Sequence, residues 1–216
     1  YYSIDLDGRQ IGFASSSVDT LADTLFVRDH MLLEIPALGS LQRVEARTDA
    51  NLTRSLKLRG FNAALRGDGV TFGASGHVAG DTLLSVELET ANSRQTFEIP
   101  IEERMTLPAL LPLQIVFGSE PDIGSQYSIK MFDPLVLKER FVTVEVTAES
   151  TFIVPDSAAL DAEDSVWVAA RWDTLHAWRI VQDDGGLSVK SWIDELGQVV
   201  EATSTVGFTQ RRTACE

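Results

Sequence analysis

The chain has 216 residues, of which 44% are hydrophobic and 23% charged. That is the balance of an ordinary globular protein, and it excludes disordered, collagen-like and disulfide-scaffold classes. Eighteen Lys and Arg against 32 Asp and Glu leave a net charge of -14, which repels a phosphate backbone and excludes nucleic acid as a partner.

Period-2 alternation, the mark of half-buried strands, runs from the first residues to the last, with Gly, Asp, Asn and Pro clusters between the runs. Ile4 and Leu6, then Ile11 and Phe13, alternate with polar residues on either side of Asp7-Gly8. A Asp-Gly pair so flanked predicts a type I′ hairpin. One or two turns of helix are expected over 17–25. Further strands are expected over 25–35, 42–48, 53–58, 69–72, 82–90 and 94–101. The stretch 106–117 is the most apolar in the chain, yet with Pro108, Pro112 and Gln114 it falls far short of the ~18 to 20 residues of a membrane span. Pro108 suits the opening of a short helix there and Pro112 opposes its continuation. Such a segment either plugs a core or forms the lip of an apolar cavity. Strands follow over 126–132, 136–148, 165–172, 177–182, 187–193 and 199–206. The acidic stretch 155–164 reads as a loop and marks the one candidate seam. Because the strands before and after it look like neighbours in one sheet, residues 1–216 are read as one all-β, mainly antiparallel domain with one or two short helices.

Chemical motifs are scarce. Asp5-Leu-Asp7-Gly8 lacks the later acidic positions of a calcium loop. His30, His77 and His176 share no ligand spacing, and no metal site is expected. Gly73-Ala-Ser-Gly76 lacks the length of a nucleophile elbow and reads as a bulge or loop. Asp183-Asp-Gly-Gly186 reads as a turn. Glu102 with Glu103, and Asp183 with Asp184, point to opposite faces if extended, a poor basis for paired-carboxylate chemistry. Cys215, the single cysteine, precludes an internal disulfide and has no evident base beside it. With no phosphate-cradling glycine run either, the chain is read as non-enzymatic and without a cofactor.

The four tryptophans, Trp167, Trp172, Trp178 and Trp192, crowd into the last quarter. Strict alternation places Val166, Val168, Ala170 and Trp172 on one face and Trp167, Ala169 and Arg171 on the other, so both faces of that strand carry an aromatic. Trp167, Trp178 and Trp192 are the candidate partner-binding residues. The chain opens at Tyr1 with no Met and no leader-like segment, and closes at Glu216 with no turn or cap. Further chain is expected on one or both sides, including an apolar segment upstream that is either a cleaved signal or a retained tether.

The segments Ala177-Trp-Arg-Ile-Val-Gln182, Lys190-Ser-Trp-Ile-Asp-Glu-Leu-Gly-Gln-Val-Val-Glu201 and Arg211-Arg-Thr213 resemble the β-rich extracytoplasmic domain that precedes transglutaminase-like domains in bacterial envelope proteins. The opening Tyr2-Ser-Ile-Asp-Leu-Asp-Gly-Arg-Gln-Ile-Gly12 is similar to the hairpin that starts those domains and related curved-sheet, lipoprotein-carrier-like families. The resemblance covers about a quarter of the chain and implies a large curved sheet, as a half-barrel, clam or sandwich, in the periplasm or otherwise outside the cytoplasm. It also implies a non-catalytic module, since nothing here corresponds to the transglutaminase Cys, His and Asp. The leading expectation is docking onto another protein, such as a membrane-embedded complex, as an accessory subunit. The alternative is a carrier holding an acyl chain inside the sheet, with 107–117 at its mouth. An enzyme whose site escapes motif reading is the third.

Overall fold

A computed structural model describes the chain except residues 38–39, 102–104, 119, 135, 162, 164–166, 185 and 215–216 and the side chains of 37, 70 and 184. Fifteen strands form one sheet. In chain order they are β1 (Tyr2–Leu6), β2 (Arg9–Leu21), β3 (Thr24–Ala37), β4 (Ser40–Thr53), β5 (Leu58–Gly67), β6 (Val70–Ala79), β7 (Leu83–Thr90) and β8 (Ser93–Pro100). A two-residue strand, β9 (Met105–Thr106), leads through a single 3-10 turn (Pro108–Leu110) into the helix α1 (Leu111–Gly118). Then come β10 (Gln126–Asp133), β11 (Lys138–Leu160), β12 (Trp167–Asp184), β13 (Leu187–Asp194), β14 (Val199–Ser204) and β15 (Phe208–Arg212).

The spatial order is β8-β7-β6-β5-β4-β3-β2-β1-β15-β14-β13-β12-β11-β10-β9. Every neighbouring pair is antiparallel except β9 with β10, and β1 joins the two meanders by pairing with β15. Laid flat, the sheet would span roughly 67 Å at about 4.8 Å per strand. Its outermost strands are nevertheless joined by the short connection from Pro100 to Met105, which reaches about 18 Å at most. The sheet therefore curls until its two ends stand close together. The Phe61 and Phe132 rings, on β5 and β10, meet at 5.8 Å, although roughly 48 Å of flat sheet separates their strands. One curled sheet, not a sandwich of two, is the architecture.

The apolar stretch after β9 fills this curl. Leu107, Leu110 and Leu113 pack with Leu52, Phe61, Leu84 and Val86 on one wall, while Leu111 and Ile115 pack with Val142, Val144, Val146, Ile180 and Ile193 on the other. A helix apolar all round its circumference is stable only when buried all round. Pro112 is tolerated because it falls in the first turn of α1, where its missing N–H would have no helical partner. This segment is the plug of the core and not the lip of a cavity: Leu107 and Leu110 are completely buried. Gln114 Nε2 donates to the Leu56 carbonyl at 2.8 Å and ties the plug to the β4–β5 turn.

Several local expectations are corrected. Residues 17–21 end β2 and 24–25 begin β3, so the helix expected over 17–25 is a hairpin; Ser16, Val18 and Thr20 still alternate there. Residues 53–58 are not a strand: β4 stops at Thr53, Leu56 takes φ 59, and β5 starts at Leu58. Gly73–Gly76 lies within β6, whose ladder with β5 has no break. The acidic stretch at 155–164 is strand as far as Leu160. Asp7 and Gly8 take φ 50 and 80, the paired left-handed conformation of a type I′ turn.

Candidate functional site

Two surfaces stand out, and the longest hairpin builds the first. β11 pairs with β10 only as far as Glu145, and β12 pairs with β13 only from Ala177 onward. The remainder of the two strands projects as a two-stranded ribbon. Its ladder skips Thr147 and Asp156 on β11 and Ala170 on β12. Each extra residue reverses the alternation on its strand. Trp172 pairs with Pro155, Ala169 with Ala158, and Trp167 with Leu160, so Ile153, Pro155, Ala158, Leu160, Trp167, Ala169 and Trp172 share one face. Sequence alternation separated Trp167 from Trp172; the bulge at Ala170 puts them together, lining one hollow of about 410 Å³ with Arg211 to Ala214. Ile153 is 71% exposed, Leu160 55%, Trp167 52% and Trp172 58%. Asp156, Asp161, Glu163 and Asp173 lie on the same ribbon, and Arg171 pairs with Asp156.

The other two candidate tryptophans face the molecule itself. Trp178 packs against the cluster of Ile180 and Ile193 and meets His176 edge-on at 4.7 Å. Trp192 meets Phe152 at 5.0 Å and lies under the Arg179 guanidinium at 5.8 Å. Trp172, Ile153 and Leu160, which the sequence reading did not single out as binding residues, join Trp167 instead.

The second surface is the concave face of the sheet away from the plug. Ile4, Met31, Leu33, Val189, Ala202 and Phe208 line a hollow of about 310 Å³, with Ser204 and Gln210 at its border. Below it the inner face turns polar. Tyr2 is buried, and burial pushes its phenol up to about 12 against the nearby Arg212 cation. Arg212 Nη1 donates to Asp194 Oδ2 at 3.1 Å. Asp194 Oδ1 accepts from the backbone of Leu196 and Gln198, closing the β13–β14 turn. Asp29 faces the same interior from β3, and burial pushes its carboxyl up to about 6 despite a hydrogen bond from Ser16.

The three histidines stand apart: His30 binds Glu45 at 2.9 Å, His176 lies 3.7 Å from Glu149, and His77 is on β6. Among the described residues no group of three or more His, Cys, Asp or Glu is arranged to hold a metal, and no helix is long and apolar enough to cross a membrane. Cys215, Glu102 and Glu103 lie outside the described residues, as does the side chain of Asp184.

The chain matches no described protein family, and no curated protein matches it. Two solved structures are similar. One is a β-barrel-like protein of the domain of unknown function DUF1849 from Brucella abortus, with a TM-score of 0.57 at 13% identity, covering 97% of this chain and 91% of that one. The other is a DUF1089 family protein from Pseudomonas aeruginosa, with a TM-score of 0.45 at 11% identity and 87% of each chain covered. The first likeness establishes the class of the fold, a β-barrel-like curled sheet. The kinship with transglutaminase-associated modules read from the sequence gains no specific support from either.

Proposed function

We propose that this chain is a non-catalytic, extracytoplasmic β module that docks onto a partner protein through the β11–β12 ribbon. The supporting observation is the one-faced stripe of Ile153, Leu160, Trp167 and Trp172, all more than half exposed. Exposed apolar groups gathered on one surface and rimmed by polar ones are characteristic of interaction sites, and tryptophan dominates such interfaces energetically. The acids around the stripe fit a partner whose apolar patch is rimmed by Lys and Arg. An accessory role beside a membrane-embedded complex is consistent with this chemistry. In a pull-down from the native envelope, Trp167→Ala with Trp172→Ala should weaken recovery of a specific partner at least tenfold, while the circular-dichroism spectrum stays unchanged. Undiminished recovery would sink the reading.

The concave hollow favours a second reading, a carrier of an apolar chain. At about 310 Å³ it lies at the lower end of the usual range for small-ligand sites, and it is separate from the plug. Native mass spectrometry of gently purified protein tests it: a co-purifying amphiphile that Leu33→Asp removes is the expected result, and a ligand-free protein that binds no dodecanol counts against it.

A further inference from the structure

The inner face of the sheet is organised in rows that the strand register makes explicit. One row runs Gln210, Ile4, Gly12, Leu33, and the next Arg212, Tyr2, Ala14, Met31. The row below contains Ser16, Asp29 and Thr48. Val27, two residues before Asp29, packs in the cluster that holds the plug, and Met31, two residues after it, lines the apolar hollow. Side chains two apart on a strand share a face and stand about 7 Å apart. Asp29 therefore stands on the inner face between the plug cluster and the hollow, one step beyond Met31 at the hollow's edge.

The charged and titratable groups near Asp29 on this inner face are Tyr2 from β1, Arg212 from β15 and Asp194 from the end of β13. Arg212 is committed to Asp194 at 3.1 Å. The Ser16 hydroxyl is the hydrogen-bonding partner found for Asp29, which makes no ion pair among the described residues. A half-buried carboxylate without a counter-ion is unfavourable. A cation brought within ~4 to 6 Å relieves it, and a second carboxylate there aggravates it.

We propose that the hollow takes an amphiphile with one aliphatic chain and a cationic head, the chain lying over Ile4, Met31, Leu33 and Phe208 and the head turned down toward Asp29, and that the site rejects fatty acids. This inference rests on the carrier reading and adds to it the charge of the ligand. The raised pKa of Asp29, about 6, leaves the carboxylate ionised at pH 7.5 and largely neutral at pH 5, so the preference for a cation should fade on acidification.

Calorimetric titration at pH 7.5 with dodecylamine, dodecanol and dodecanoate, each below its micellar concentration, tests the proposal. Dodecylamine should bind about tenfold tighter than dodecanol, and dodecanoate at least tenfold weaker than dodecanol. Asp29→Asn should bring the amine and the alcohol within about twofold of each other. Because the variant removes one charge of many, an amine advantage that survives it reports general attraction to an acidic protein and overturns the proposal. Dodecanoate binding as tightly as dodecylamine overturns the head-group assignment and leaves the carrier reading standing. No binding by any of the three overturns both.

Discussion

Replacing Asp29 by Asn should make the protein more stable at neutral pH. The carboxyl is pushed from 3.8 to about 6 by burial, so the folded state holds its proton more tightly than the unfolded chain does. The wild type is therefore penalised for ionising this group wherever the pH exceeds about 6, and the penalty fades as the pH falls through 6 toward 4. At 1.36 kcal/mol per unit the displacement corresponds to about 3 kcal/mol. Partial solvent exposure screens some of it, and a net gain of about 1 to 3 kcal/mol is expected. Asn keeps an oxygen to accept from Ser16 and never ionises. For a chain of this size, thermal melts at pH 7.5 should place the variant roughly 3 to 10 °C above wild type, with the gap shrinking to about a third by pH 4.5 and closing below the unfolded value of 3.8. A gap that is absent at pH 7.5, or that does not change between pH 4.5 and 7.5, would refute the assignment of Asp29 as a buried, unpaired acid.

Further substitutions probe the frame around the two surfaces. Ile115→Ala should cost about 2 to 5 kcal/mol in urea unfolding, because the plug side chain is 1% exposed and the walls on both sides are fixed. Gly76→Ala should cost about 1 to 3 kcal/mol in the same assay, since the new Cβ would sit 2.3 Å from the Phe61 ring; a pairing of Gly76→Ala with Phe61→Leu should recover part of that loss. Asp194→Ala removes the acceptor of two turn amides and the partner of Arg212 and should lower stability by about 3 kcal/mol. An effect below 0.5 kcal/mol would mean that the β13–β14 turn holds without it.

Where the sequence was legible, the reason is local. Asp7-Gly8 sits between alternating runs, and that chemistry specifies its turn whatever surrounds it. β11 carries a valine at every second position from Val142 to Val146, and β3 sets Leu25, Val27, Met31 and Leu33 at two-residue steps interrupted only by Asp29. β5 was missed because Gly60, Ala63, Ala64 and Gly67 give almost no strand signal. Their small size serves a distant requirement: Phe61 from the same strand reaches across to Phe132 and occupies the space that Gly76 leaves. The same holds for 106–117, whose composition fits a plug and a cavity lip equally well until the two walls are in place.

The candidate ribbon shows the limit more sharply. Alternation predicts the face of a strand residue only while the ladder is unbroken, and a single added residue inverts every assignment beyond it. Ala170 and Asp156 carry no local mark that would identify them as the extra residues; the bulges lie where β11 and β12 pair only with each other. Trp167 and Trp172 consequently meet on one face although their spacing of five is odd. Trp178, on β12 where it also pairs with β13, and Trp192, on β13 itself, are drawn into the packing of β11 to β14. The composition gathers the four tryptophans into one quarter of the chain, while the shared face of Trp167 and Trp172 depends on the one residue inserted between them, Ala170. Deleting Ala170 leaves Trp167 and Trp172 four apart on a regular strand, so the pair should stay on one face and the partner recovery expected to depend on both side chains should be kept; a fall as large as in the double alanine variant would refute the reading of Ala170 as the extra residue.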